Sequence, residues 1–223
     1  MSSTLDRDNV VETLQREHAA ALEQRAKRQA AREQSEQQAA PKGWRSFKEA
    51  DHFQHAYLAI SPGQGALLYM LARACHARTI VEFGSSFGIS TLYLAAAAED
   101  NDGTVIGSEY YANKREHALA NLNDAGLDHR VEIRLGDAME TLSELPTPID
   151  FVFLDGDKSL YQPVLDMLRP KLKPNAFVVA DNLNHFAGEP GDFRHTLLSN
   201  PAFTSRIMSL EKGEISVSQY HGE

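Results

Sequence analysis

The chain has 223 residues, 42% of them hydrophobic, with 22 basic against 31 acidic side chains and a formal net charge of −9. An acidic body repels phosphate backbones, so nucleic acid is not an expected partner. No apolar run reaches the roughly 18 residues that a membrane-spanning helix needs, and the first ten residues hold neither a basic nor an apolar leader region, so no membrane association is expected. The single cysteine, Cys75, excludes an intrachain disulfide and a cysteine-rich metal cluster, and reads as a small buried hydrophobe. A cytoplasmic protein that handles a small molecule is the expectation.

In chain order, residues 1–40 stand apart as an N-terminal helical extension: Ala, Gln, Glu and Arg dominate, and no Gly or Pro occurs before Pro41. Val10, Leu14, His18, Ala21 and Leu22 trace one weak apolar face, which suits a solvated helix or an arm that contacts a partner, with a homodimer as the functional reading. The segment Pro41 to Gly43 is the candidate linker, and residues 41–223 form the second, larger domain. Trp44 and Phe47, just ahead of that body, are read as a lid over a bound ligand or as an anchor for the arm. A helix follows over Gln64 to Ala77.

From Thr79 short β-runs alternate with helical stretches. TIVEF is followed by a helix over 89–98, TVIGSE by one over 112–125, RVEIRL by one over 138–145, and IDFVFLD by one over 160–172, before AFVVAD. Such alternation means crossover units and a mostly parallel sheet. Two last runs, 205–210 and 214–220, are separated by three residues, a turn that joins only antiparallel strands. The predicted fold is α/β: a Rossmann-like, doubly wound, mostly parallel seven-stranded sheet with an antiparallel last strand and helices on both faces.

In an open parallel sheet the ligand sits beyond the carboxyl ends of the strands. The loop after the first strand, VEFGSSFGIS, is therefore the expected crevice. Gly84 and Gly88 allow close backbone approach, and Ser90 in the first turn of the next helix can receive a carboxylate. The spacing Gly84-x-x-x-Gly88 is not the G-x-G-x-x-G of dinucleotide sites, so a pyrophosphate ligand and a nicotinamide oxidoreductase are disfavoured. Glu109 ends the second strand 25 positions after Gly84, where a carboxylate can accept both hydroxyls of a ribose.

These features, together with LGDAMETL after the third strand, LDGDKSLY after the fourth and ADN after the fifth, resemble the class I S-adenosylmethionine-dependent methyltransferases. Within them the match is to the metal-dependent O-methyltransferases of the catechol and caffeoyl-CoA type. The resemblance implies that Glu82, Gly84 and Ser85 line the methionine part of S-adenosylmethionine and that Ser90 holds its carboxylate. It further implies that Glu109 takes the ribose, that Asp137 and Ala138 flank the adenine, and that Asp155 touches the cofactor as well as a metal. Relatives of this kind are commonly dimeric.

Asp155, Asp157 and Lys158 lie just past one strand and Asp181 with Asn182 past its neighbour, so both groups fall on one rim. Taken singly, such acids are helix caps and turn formers. Together, two carboxylates and an amide oxygen are hard ligands that suit Mg²⁺ or another divalent cation. The resemblance assigns Asp155, Asp181 and Asn182 to the metal and leaves Asp157 as a loop group. Lys158 is then the expected base toward a phenol of pKa about 10, with Tyr161 packed in the same turn. The expected reaction is methyl transfer to a hydroxyl of a small catechol-like aromatic. The alternatives are a sugar or enediol hydroxyl as acceptor, or a protein that binds S-adenosylmethionine without catalysis. In the plant-type relatives a Trp-containing segment follows the Asp-Asn pair. This chain has Leu183 to Phe186 there, which makes residues 184–194 the candidate acceptor loop, with His185 and Arg194 as contacts or as solvated loop residues.

Overall fold

The computed structural model describes residues 3–35 and 51–222. Trp44, Phe47 and the 41–43 linker lie outside the described residues.

Helix α1 spans Asp8–Ser35, uninterrupted because nothing in it breaks a helix. The 3₁₀ turn Thr4–Asp6 that precedes it is pinned by Thr4, whose backbone N–H and hydroxyl both donate to the Asp100 carboxylate, at 3.1 and 2.6 Å. Val10, Leu14 and Ala21 are buried within the chain's own core, whereas Leu22 is 60% exposed. The weak apolar face is thus spent, as far as Ala21, on the helix's own body. Burying each Val or Leu stabilises this docking by about 1.5–3 kcal/mol.

Helix α2 (Pro62–Ala74) starts at a capping box. Ser61 Oγ accepts from the Gln64 N–H and the Gln64 side chain accepts from the Ser61 N–H, with Pro62 in the first turn. Cys75 caps its other end, half-buried, its thiol donating to Ala72 O. Strand β1 (Thr79–Phe83) leads into α3 (Ile89–Asn101), and β2 (Thr104–Glu109) into α4 (Ala112–Asp124). The alanine-rich stretch Leu92–Ala98 of α3 is buried on all sides, and its small side chains let neighbouring elements approach. Strand β3 (Val131–Leu135) is followed by the single turn α5 (Ala138–Thr141), and β4 (Ile149–Leu154) by α6 (Tyr161–Leu168).

Two helices are shorter than the sequence suggested. Pro146 and Pro148 follow α5, and Pro170 sits in a tight 3₁₀ turn after α6, where a ring without an N–H cannot continue the ladder. Strand β5 (Leu172–Ala180) instead starts four residues earlier than AFVVAD, with a register shift against β4 between Ile149 and Phe151. After α7 (Phe193–Ser199), β6 (Phe203–Leu210) and β7 (Gly213–Tyr220) form the expected hairpin.

The sheet order is β3-β2-β1-β4-β5-β7-β6. β1 to β5 are parallel and β7 runs antiparallel to both β5 and β6. The order reverses between β1 and β4, so the ends of these two strands and of their neighbours β2 and β5 open onto one crevice. Among the described residues no helix is long and apolar enough to cross a membrane.

Candidate active site

The glycine loop is built around positive backbone angles. Gly84 has φ +94°, and a Cβ there would lie 2.8 Å from Asp155 O and Gly156 N. Gly88 caps α3 with φ +87° and would meet Ala118 Cβ at 2.9 Å. Only glycine meets both demands at either place. The loop is fastened from across the cleft by Glu109, whose two oxygens accept from the Ser86 N–H at 2.7 Å and the Tyr111 N–H at 2.9 Å. A carboxylate offers about four acceptor sites, so both oxygens retain a lone pair for a sugar diol.

Glu82 is fully buried in β1. Its Oε2 accepts from Ser85 Oγ at 2.6 Å and Thr91 Oγ1 at 2.5 Å, and burial pushes its pKa up despite these hydroxyls. Its Oε1 has no hydrogen-bond partner. An orphaned buried acceptor beside a glycine loop fits an ammonium group of a bound ligand. The Ser85 hydroxyl gives its proton to Glu82 and keeps its lone pairs as acceptors, and Ser90, 7% exposed, lines the floor of the same loop. Asp137 caps α5 by accepting from the Met139 N–H at 2.9 Å, and with Ala138 it lines the cleft that Gly84 and Glu109 also face.

On the neighbouring rim, Lys158 Nζ donates to Asp155 Oδ1 at 3.1 Å, to Gly156 O at 3.2 Å and to Tyr161 Oη at 2.6 Å. The Tyr161 hydroxyl in turn donates to Asp181 O at 3.1 Å. Asp181 accepts from Gln64 Nε2 at 2.6 Å and from Asn182 Nδ2 at 2.7 Å. Burial raises the pKa of Asp155 to about 7, with Lys158 opposing and Asp181 adding to the rise. Burial likewise raises that of Asp181. Two carboxylates whose pKa values are both raised by desolvation, beside an amide, fit a divalent cation, which would restore both to the ionised form. Among the described residues no third carboxylate, His or Cys completes a metal-binding group with them.

Other expectations settle differently. Asp157 caps the turn 158–160, accepting from the Ser159 N–H and hydroxyl at 2.9 and 2.7 Å, as a loop group should. Arg194 pairs its guanidinium with Glu214, which ties the 184–194 loop to β7. His185 lies within electrostatic reach of Lys158, and burial lowers its pKa. Phe186 packs tilted and Phe193 edge-on against the Tyr161 ring, with centroids 5.8 and 5.2 Å away.

Several residues at the site carry no sequence signal. Lys114 is 2% exposed; it donates to Ser86 Oγ at 3.1 Å, lies over the Phe87 ring, and burial lowers its pKa to about 8. Leu58 lines both the donor cleft and a second cavity beside Asp181 and Asn182. Gln64 could have been found, because the S-x-x-Q capping box is legible, although its bond to Asp181 is not.

A doubly wound sheet with a glycine loop, an acid ending β2 and a polar rim on β4 and β5 defines a class I methyltransferase. A methyltransferase domain family matches residues 81–183. The catechol O-methyltransferase of Niastella koreensis is 32% identical over 74% of this chain and 80% of its own length. The O-methyltransferase TomG of Streptomyces achromogenes, solved in complex with S-adenosylmethionine, superposes with a TM-score of 0.66 at 30% identity, over 74% of this chain and 82% of its own. An O-methyltransferase of Bacillus cereus, 23% identical, shares the fold over 96% of this chain and 91% of its own, with a TM-score of 0.66. The chain belongs to the S-adenosylmethionine-dependent O-methyltransferases of the catechol and caffeoyl-CoA O-methyltransferase type. It is an enzyme, and the non-catalytic alternative falls away.

Proposed function

We propose that the protein methylates one hydroxyl of a small catechol-like aromatic, with a divalent cation, Mg²⁺ first among candidates, held by Asp155, Asp181 and Asn182, and with Lys158 as general base. The observation that carries this reading is the chain of contacts from Asp155 through Lys158 and Tyr161 to Asp181, which gathers a base and two metal-type ligands at the edge of the donor cleft.

In the donor cleft, Glu82 with Gly84, Ser85 and Ser90 receives the methionine portion, Glu109 the ribose hydroxyls, and Asp137 with Ala138 the adenine. Asp155, which lines this cleft, borders both ligands. When bound, S-adenosylmethionine supplies an electrophilic methyl group, and the cation supplies a positive charge that favours phenolate over phenol. The protein's own contribution begins at Lys158 Nζ, which Asp155, Gly156 O and Tyr161 Oη hold in place through its N–H donors. Once the amine has released one proton to solvent, its lone pair accepts the proton of the reacting hydroxyl and the ammonium is restored. Leu58, shared by the two cavities, places an apolar side chain between the donor and acceptor sites. Holding two reactants in near-attack geometry can supply roughly 7–11 kcal/mol of the barrier.

Transfer of labelled methyl to simple catechols, with Mg²⁺ and then with excess EDTA, tests the reading. Turnover lost on chelation supports it, and turnover indifferent to EDTA sinks the metal. Transfer to sugar or enediol hydroxyls but to no catechol would replace the acceptor. A homodimer in the cytoplasm is the proposed setting. It rests on the family resemblance and on the lone thiol, and a monomeric mass in solution would overturn the dimer.

A further inference from the structure

The second cavity, of about 450 Å³, has a wall that no step above uses. Asp181 and Asn182 line one end. Arg25 and Arg28 of α1 and Lys212 of the β6–β7 turn line much of the rest, with Leu58 shared between this cavity and the donor cleft. Three cations on one cavity run against the composition of a chain with a net charge of −9.

Two of these cations are held in position. Arg28 Nη2 donates to Gln24 Oε1 and to Tyr57 O, both at 2.9 Å. Gln24 is itself fixed, accepting from the Tyr57 N–H and donating to His55 O, both at 2.7 Å. Lys212 Nζ donates to Ala59 O at 2.8 Å. Arg25 makes no hydrogen bond or ion pair among the described residues. Burial, and then the charge of Arg25, push the Lys212 pKa down, while Asp181, Asp155 and Glu211 pull it up. Like charges kept this close are a cost that an anion in the cavity relieves.

We infer that this cavity selects acceptors bearing a carboxylate on the substituent away from the reacting hydroxyls, with Arg25, Arg28 and Lys212 as its anion subsite and α1 as a specificity element. The inference rests on the proposed methyl transfer at Asp181 and Asn182, and adds polarity to it. One end of the cavity takes hydroxyl oxygens and the other takes negative charge, so an acceptor that fills it is bipolar. Guanidinium groups match a carboxylate by two parallel N–H donors, and a catechol with an ammonium arm meets repulsion. A phosphate or phosphonate arm offers the same anionic oxygens and is separated from a carboxylate only by comparison.

The test uses the full chain and four acceptors: 3-(3,4-dihydroxyphenyl)propanoate, its neutral methyl ester, its phosphonate analogue and dopamine. The propanoate is expected to exceed the ester in kcat/KM by about ten-fold, the equivalent of one good charge contact, with dopamine lowest. High salt should erode that ratio by screening. Arg25→Gln and Lys212→Gln should each cut the acid-to-ester ratio several-fold, and Arg25→Lys should restore part of it. A ratio near one in the native protein, or a ratio the variants do not move, overturns the inference while leaving the methyl transfer standing. A higher value for the phosphonate reassigns the subsite from carboxylate to phosphate-type anions and overturns the carboxylate choice. Calorimetric titration of propanoate and ester, with S-adenosylhomocysteine present, decides the subsite independently of turnover. If no acceptor is methylated, the functional reading fails, and binding of the acid in preference to the ester, weakened by Arg25→Gln, still sustains the anion subsite. Equal binding of the two overturns it.

Discussion

Lys158 Nζ lies 2.6 Å from the Tyr161 hydroxyl, which itself donates to the backbone carbonyl of Asp181. A buried phenol on α6 thereby connects the lysine after β4 to the aspartate after β5. Lys158→Met is expected to lower kcat by about 10²–10⁴, the range for loss of a positioned base, with S-adenosylmethionine affinity retained in calorimetry. Tyr161→Phe leaves Asp155 and Gly156 O as partners for the lysine, so kcat should fall by much less. Equal losses in the two variants would mean that Tyr161, and not Lys158, sets the activity.

Gly84→Ala should fail for two separable reasons. The residue would sit at φ +94°, and its methyl group would press on the backbone of Asp155 and Gly156. Strain at such a position costs of order 1–3 kcal/mol, and the displaced loop would no longer meet Glu109. A lowered Tm together with loss of cofactor binding is expected; a variant of native stability that binds S-adenosylmethionine normally would contradict the role of the loop.

Asp155→Asn and Asp181→Asn each remove one of two buried carboxylates. Thermal unfolding followed with and without Mg²⁺ should show a metal-dependent rise in Tm for the native protein and a smaller or absent rise in both variants. If the native protein is not stabilised by any divalent ion while it turns over, the proposed ligand set is wrong.

The contact between α1 and the body depends on pH through Glu17, 3% exposed. Burial alone would raise its pKa, but donors from Tyr57 at 2.9 Å, His117 at 3.0 Å and Arg16 at 3.2 Å outweigh it and bring it below 4.5. A depressed folded-state value gives stability that is present above the unfolded value of 4.5 and is lost as pH falls through the folded one. Glu17→Gln should therefore be less stable than the native chain at neutral pH, and the difference should shrink below about pH 4.5. A difference that is constant across that range would remove the carboxylate from the account.

Alternation of β-runs with helical stretches, the short 211–213 connection and the Gly84-x-x-x-Gly88 loop were sufficient to predict the sheet, its antiparallel last strand and the crevice at its switch point. These are local signals, carried by residues close together in the chain. The same holds for the acids after β4 and β5, because the position of a strand end along the sequence also places it on one rim. Whether Asp155 and Asp181 are buried, or whether Ser85 serves a ligand or Glu82, depends on neighbours brought in by other elements. Lys114 reads as an ordinary helix-start lysine until Phe87 and Tyr111 close over it. Val10, Leu14 and Ala21 look like part of a weak, solvated face until the body of the chain supplies the surface they cover, whereas the alanines of α1 beyond Leu22 stay exposed as the sequence suggested. Arg25 and Arg28 lie more than 180 residues before Lys212 in the chain, and only the docking of α1 beside the β6–β7 turn makes them one wall. Spacing along the chain determines which way each element points, but desolvation and charge clustering are properties of distances in space, and the tertiary structure alone sets those.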